Sequence, residues 1–287
     1  MADQETITRL RRIAAEIRLL VVRMMGTGKA HHFGGSLSAA DIITALYFYS
    51  MRFDPQNPKW PERDRFIMSK GHSVPVQYAA LAMLGVLEVD ELFTLKKLGS
   101  RLQGHPAMHL TPGLEGCTGG LGEGLSYANG MALAARVTGL SYRVFCMVGD
   151  GELHEGQIWE AAMTAPRRGL VNVTVLIDRN RLKAMDAADS SKSMDPLGLR
   201  WESYGWAVRE IDGHDLRAIC DALDWACSQQ RRPAAIICNT IKGRGVSFLE
   251  GEAGFHNAPI SDGQYEKALQ ELNSDLRRLE GVDATAC

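Results

Sequence analysis

Short runs of β-branched and aromatic residues recur along the chain, and longer stretches with helical spacing separate them. Arg65-Phe66-Ile67-Met68, Val144 to Val148, Val173 to Ile177, Trp206 to Ile211 and Ala234 to Cys238 read as strands. The stretches near 73–85, 123–138, 156–168 and 215–230 read as helices. Strands that alternate with helices lie parallel, and a parallel sheet is covered on both faces. The expected fold class is therefore α/β, a mostly parallel sheet with helices on both faces. Ahead of the first strand, Ile7, Leu10, Ile13, Ile17, Leu20, Val21 and Met24 recur at helical intervals over residues 6–25, and Gly26-Thr27-Gly28 ends that helix. A second helix is expected from Ser38 to about Phe48, with Ser38 as its N-cap and Asp41 in its first turn. One domain is expected over 1–262, with 263–287 as a polar tail made of a short helix and a frayed end.

Of the 287 residues, 45% are apolar and 23% charged, which supplies a substantial core. A formal net charge of −2, with no Lys/Arg-rich run, argues against a nucleic-acid groove. The six cysteines, Cys117, Cys146, Cys220, Cys227, Cys238 and Cys287, form no Cys-x-x-Cys pair, and several sit in apolar runs. Reduced, mostly buried thiols are expected. Residues 1–12 are charged and carry no apolar signal core. No apolar run approaches the ~18–20 residues of a membrane span. The expectation is a soluble cytoplasmic protein with no membrane contact.

The strand Val144 to Val148 runs into Gly149-Asp150-Gly151. Parallel α/β sheets place ligands at the carboxyl ends of their strands, and the glycines allow a tight turn there. Asp150 is then a carboxylate at the rim of the sheet. Asn180 follows thirty positions later at the end of the next strand, in Ile177-Asp178-Arg179-Asn180-Arg181-Leu182. Two oxygen-bearing side chains on neighbouring strand ends suit a hard cation such as Mg²⁺, which takes a few protein oxygens and completes its shell with phosphate and water. Gly-Asp-Gly alone is compatible with a plain turn; the strand before it and the Asn after it point to a site. A second glycine cluster, Gly119-Gly120-Leu121-Gly122-Glu123-Gly124, precedes an Ala-rich helix and offers backbone N–H groups to an anion. His154-Glu155-Gly156-Gln157-Ile158 lacks the second histidine of a zincin, so no zinc site is read there.

The Gly-Asp-Gly to Asn combination resembles the signature of thiamine diphosphate enzymes. In that family the Asp, the Asn and the carbonyl two residues past the Asn bind the metal, which implies Asp150, Asn180 and the backbone of Leu182. The glycine cluster resembles the transketolase segment Thr-Gly-Ser/Pro-Leu-Gly-Gln-Gly, matched at Thr118, Gly119, Leu121, Gly122 and Gly124, with Gly120 and Glu123 departing. Four histidines fall in transketolase-like motifs: His32 in His32-Phe33-Gly34-Gly35-Ser36-Leu37-Ser38, His72 in Ser69-Lys70-Gly71-His72, His105 in Gly104-His105-Pro106, and His256 in Phe255-His256-Asn257-Ala258-Pro259. By resemblance, these four surround the cofactor's reactive carbon and the sugar hydroxyls. There a neutral imidazole relays protons near pH 7 and an imidazolium stabilises a developing oxyanion. The implied cofactor-binding set is His72, Gly119, Leu121, Asp150, Gly151, Glu155, Asn180 and His256. Glu155 and Glu160 follow at the spacing of the family's glutamates near the subunit contact. Lys242-Gly243-Arg244-Gly245-Val246-Ser247-Phe248 resembles the segment before the last cofactor-side histidine. Phe33, His31 and Asn257 replace residues usual in the family, close to the expected sugar site.

The resemblance runs over about residues 7–260 and implies the diphosphate-binding half of a transketolase. A complete member carries a second, pyrimidine-binding domain, whose glutamate contacts N1′ of the aminopyrimidine. Residues 263–287 are too short for that domain. The implied assembly has a separately encoded C-terminal, pyrimidine-binding subunit, with two copies of each chain. The implied reaction moves a two-carbon ketol group from a ketose phosphate donor to an aldose acceptor, with thiamine diphosphate and Mg²⁺ as cofactors. The alternatives are the α subunit of a 2-oxo-acid dehydrogenase, a deoxyxylulose-phosphate synthase, or a non-catalytic homologue. Ser69-Lys70-Gly71-His72 and Gly104-His105-Pro106 favour transketolase over the dehydrogenase, and an intact Asp150–Asn180 pair speaks against the non-catalytic homologue.

Overall fold

A computed structural model of the protein describes residues 2–29, 31–182 and 194–281. Cys287 and residues 282–287 of the expected frayed end lie outside the described residues. Among the described residues, five strands form one sheet: β1 (Arg65–Met68), β2 (Val144–Gly149), β3 (Val173–Arg179), β4 (Ala207–Asp212) and β5 (Ala234–Asn239). Their order is β1-β2-β3-β5-β4, and every pairing is parallel. All five strand runs expected from the sequence are present, with boundaries shifted by a residue or so.

Alternation along the strands divides the core in two. Phe66, Met68, Phe145, Met147, Leu176 and Ile236 face one layer, made by α1 (Gln4–Met25), α3 (Ala40–Ala45), α4 (Val74–Met83) and α8 (Leu216–Cys227). Ile67, Cys146, Val148, Val175, Ile177 and Ile237 face the other, made by α5 (Gly124–Thr138), α6 (Gly156–Arg167) and α7 (Leu197–Ser203). Strands β2 and β3 are buried on both faces throughout. They accordingly read as continuous apolar runs rather than alternating ones.

Ser38 does not cap a helix. It is the last residue of α2 (Phe33–Ser38), and its buried hydroxyl donates to Asp178 Oδ2 at 2.6 Å. A bond to a residue 140 positions away outweighs the local capping signal. The helix α9 (Asp262–Glu280) is closed at its start by a capping box between Ser261 and Gln264, and it packs along α1 with Ala268 and Leu272 buried. Cys146, Cys220 and Cys238 are buried free thiols, Cys227 is half-buried, and Cys117 is exposed. No helix among the described residues is long and apolar enough to cross a membrane.

Candidate active site

Because the strands are parallel, their carboxyl ends share one edge of the sheet. Four of those ends are contiguous in the order β1-β2-β3-β5. Beyond β1 come Ser69-Lys70-Gly71-His72, beyond β2 Asp150, beyond β3 Asn180, and beyond β5 Thr240 and Lys242. A single cleft opens over this edge, lined by His32, Lys70, His72, His105, Gly119, Leu121, Asp150, Gly151, Glu152, Asn180, Leu182, Lys242 and His256. The structure thus brings together His32, His72, His105 and His256 with Gly119, Leu121, Asp150, Gly151, Asn180 and Leu182. Glu155 is apart: it is exposed at the start of α6 and outside the lining. His31 and Phe33 are buried against each other at 6.1 Å and do not line the cleft; Asn257 is exposed.

The floor is a buried polar network that the motifs alone do not reveal. Lys70 Nζ donates to Asp178 Oδ2 at 2.5 Å and to the Gly35 carbonyl at 2.8 Å. The hydroxyls of Ser38 and Thr240 and the side-chain amide of Asn180 also donate to Asp178. Burial would raise this carboxyl, but the Lys70 ammonium and the hydroxyls outweigh it and hold Asp178 below its ordinary value. Glu152 fastens the glycine loop: it accepts Ser69 Oγ at 2.5 Å, the Gly122 N–H at 2.7 Å and the Gly149 N–H at 3.0 Å. Burial raises its pKa despite those bonds. Gly71 lets the β1 end dock on that loop, since a Cβ there would stand 1.9 Å from the Thr118 carbonyl oxygen. The signal for these groups is present in the sequence: Lys70 and Lys242 sit inside the motifs quoted above, and Asp178 is a charge in an apolar strand.

Three features of the site suit a diphosphate with a divalent cation. First, Asp150 is buried, and among the described residues its carboxylate is met by backbone N–H groups only, from Gly151 at 2.8 Å and Arg181 at 2.6 Å. Burial, reinforced by the Asp178 charge, raises its pKa to about 6 against the backbone N–H groups and the Lys70 charge, and a bound cation would favour its ionised form. Second, Arg181 takes a left-handed conformation, φ 63°, between Asn180 and Leu182. Such a conformation is uncommon for a non-glycine residue and clusters at ligand-binding turns, Lys96 at φ 58° being the other instance among the described residues. The Lys242 ammonium donates to the Leu182 carbonyl at 3.2 Å, a cation already on one of the expected ligand atoms. Third, a Cβ on Gly119 would meet nothing within 4 Å, so its backbone faces open cleft. Among the described residues no cluster of three or more His, Cys, Asp or Glu could hold a metal. A cation at Asp150 and Asn180 would complete its shell with phosphate and water oxygens.

Above this floor the four histidines form one group. Ring centroids lie 4.7 Å apart for His32–His72, 5.2 Å for His32–His256, 5.3 Å for His72–His256 and 6.5 Å for His32–His105. Lys242 Nζ lies 3.0 Å from His256 Nδ1. Burial, then neighbouring positive charge, lowers His32 to about 3 and His256 to about 4, and pushes His72 and His105 below their ordinary value. Burial likewise pulls the Lys242 ammonium down to about 8, against the attraction of Asp150. In the free chain these shifts favour the neutral imidazoles near pH 7, the form that relays protons. A bound diphosphate would bring negative charge and raise them.

A stability consequence follows. Between about 6.5 and 4 the imidazoles of His32 and His256 take up protons in the unfolded chain and not in the folded one, so stability present above pH 6.5 is lost as the pH falls. For His32 the loss should be about 1 kcal/mol after allowance for partial exposure. Urea unfolding at pH 7.5 and 5 should show a smaller acid loss in His32→Gln than in the wild type; equal losses would contradict the assignment.

The chain belongs to a known family. The model for "Transketolase, thiamine diphosphate binding domain" matches residues 10–278. The chain is 41% identical over 259 residues to the 6-deoxy-6-sulfo-D-fructose transketolase subunit SqwG of Clostridium sp. (strain MSTE9), a match covering 90% of this chain and 94% of that protein. It is 39% identical over 263 residues to an apulose-4-phosphate transketolase subunit from Phocaeicola vulgatus, covering 92% and 93% respectively. Against the transketolase of Homo sapiens it is 36% identical over 284 residues, covering 99% of this chain but 45% of that one. The crystal structure of transketolase from Campylobacter jejuni superposes with a TM-score of 0.85 at 28% identity, over 99% of this chain and 47% of that chain. The chain thus spans nearly all of the two shorter relatives and just under half of the long transketolases.

Proposed function

We propose that this chain is the diphosphate-holding subunit of a two-chain transketolase, which moves a two-carbon ketol group from a ketose phosphate to an aldose acceptor. The observation that carries this is the cleft itself, where the Asp150–Asn180–Leu182 turn and the four-histidine group stand side by side at the strand ends. Asp150, Asn180 and the Leu182 carbonyl would hold Mg²⁺. The Gly119–Leu121 backbone, Gly151, His72, His256 and Lys242 would hold the diphosphate. Thiamine diphosphate, when bound, supplies the carbanion chemistry. The chain's own share is to neutralise the diphosphate, exclude water and present imidazoles to the sugar. A neutral imidazole has one N–H donor and one free acceptor, so His32 and His105 can orient hydroxyls and pass a proton between them.

The partner would be a pyrimidine-binding subunit supplying the N1′ glutamate, with two copies of each chain in a cytoplasmic assembly. Two relatives covered over more than nine-tenths of their length are named as transketolase subunits, which supports a second chain. Exposed apolar side chains at Leu121, Tyr127 and Met163, together with exposed Glu155 and Glu160, lie on the glycine loop, on α5 and around α6, where such a partner would dock. Which ketose is used would depend on both chains.

The test separates the two ends of the cleft. In the reconstituted complex, His32→Ala and His105→Ala should each lower kcat by about 10²–10⁴-fold, the usual weight of a positioned proton-transfer group, while cofactor affinity changes by less than about threefold. Steady-state assays over a panel of ketose phosphates, beside thiamine diphosphate titrations, supply both numbers. Equal losses in cofactor binding would remove both histidines from the sugar side, and no turnover with any ketose would sink the proposed reaction.

A further inference from the structure

His214 does not line the cleft, yet it reaches the segment that carries Lys242. It follows the end of β4, where Asp212 pairs with Asn239 at the end of β5. On one side, His214 Nδ1 lies 2.7 Å from Asp41 Oδ2; on the other, Nε2 accepts the Ile241 N–H at 2.8 Å. Asp41 also accepts both terminal nitrogens of Arg18, one at 3.0 Å. Burial would raise this carboxyl, but Arg18 and His214 outweigh it and hold it at about 2. A carboxylate can only accept, so the His214 proton resides on Nδ1 and Nε2 is left free to accept. The side chains of His214 and Asp41 are only 11% and 8% exposed, so the pairing is built into the interior.

Ile241 is not held by its own side chain, which is 40% exposed. Its neighbours carry the site. Thr240 donates to Asp178, Lys242 reaches the Leu182 carbonyl and His256, and the Gly243 N–H donates to the Gly34 carbonyl at 3.0 Å. The backbone N–H between Thr240 and Lys242 goes to His214. We propose that His214 is a positioning residue for the cofactor site: by accepting the Ile241 N–H, in the tautomer that Asp41 and Arg18 impose, it fixes the path of Thr240 to Gly243 and hence where the Lys242 ammonium stands in the cleft. This rests on the reading of the cleft as a diphosphate site.

Two near-isosteric substitutions separate the two nitrogens. In His214→Gln the amide oxygen can take the Nε2 position and accept from Ile241. In His214→Asn the amide can take the Nδ1 position and donate to Asp41, but nothing reaches Ile241. Both variants should melt within about 2 °C of each other, which removes a general loss of fold as the explanation. Hydrogen–deuterium exchange over residues 239–245 of the full chain, without cofactor, should match the wild type in the Gln variant and be about tenfold faster in the Asn variant. In the reconstituted complex with Mg²⁺, the Gln variant should bind thiamine diphosphate within about threefold of wild type, and the Asn variant about tenfold more weakly. Equal exchange in the two variants overturns the proposal. So does an exchange difference with no matching difference in affinity. A wild type that binds no cofactor overturns the proposed function instead, and the exchange comparison still decides whether His214 holds this segment.

Discussion

Asp150→Ala is expected to weaken thiamine diphosphate binding, measured with saturating Mg²⁺ on the reconstituted complex, by at least about a hundredfold, or roughly 2.7 kcal/mol. The same change should leave the stability of the chain within about 1 kcal/mol, because the removed group contributes so little in the free protein. Asp150 is 6% exposed, its carboxylate is bonded by the backbone N–H groups of Gly151 and Arg181, and the Lys70 and Lys242 ammoniums attract it without hydrogen-bonding to it among the described residues. Burial and the nearby Asp178 already disfavour its ionised form, which is why its pKa rises to about 6. Deleting it removes that strain while costing the bonds that hold the Arg181 turn, and the two effects oppose each other. With a divalent cation present the sign reverses, since the carboxylate then faces a double positive charge in a poorly solvated pocket. Asp150→Asn, which keeps the shape and loses the charge, should bind as weakly as the alanine variant. Isothermal titration and urea unfolding on the same preparations supply both numbers. Unchanged affinity would remove Asp150 from the metal site, and a large loss of stability would make its role one of fold.

How much of this is legible in the sequence depends on the range of the interaction. β2 and β3 are readable because a doubly buried parallel strand leaves a continuous apolar run, and Gly149-Asp150-Gly151 marks where β2 stops. Strand order is not readable: β5 lies between β3 and β4 because of pairing across long separations, and no local pattern encodes that. The same limit explains Ser38, whose hydroxyl looks like a cap and instead serves Asp178. Lys70 and Asp178 are 108 positions apart, so their ion pair is invisible until the sheet brings them together. The histidines are placed by resemblance to a family; what the fold adds is the direction of their titration, because burial and neighbouring positive charge push all four imidazoles below their ordinary value. His214 escapes a reading of the sequence altogether. Its signal, a histidine just after a strand end, acquires meaning only once Asp41 and Ile241 are beside it.

The second large effect concerns the partner. The described residues supply a parallel sheet, the cleft over its strand ends and the residues proposed to hold a diphosphate, and the chain covers 45% of the human transketolase against 94% of SqwG. If the aminopyrimidine is activated by a glutamate on another polypeptide, the chain alone lacks the group that starts the reaction. Removing one essential proton-transfer group commonly costs about 10²–10⁴ in rate, and loss of the docking surface adds to that. The most direct measurement is ketol transfer from a ketose phosphate to an aldose acceptor, with thiamine diphosphate and Mg²⁺ present. It should be made on this chain by itself, on the proposed pyrimidine-binding subunit by itself, and on the two combined. Activity at least about a thousandfold higher in the mixture than in either component is the expected result. Full turnover by the rigorously purified single chain would contradict the account and require the activating glutamate to be found within these 287 residues.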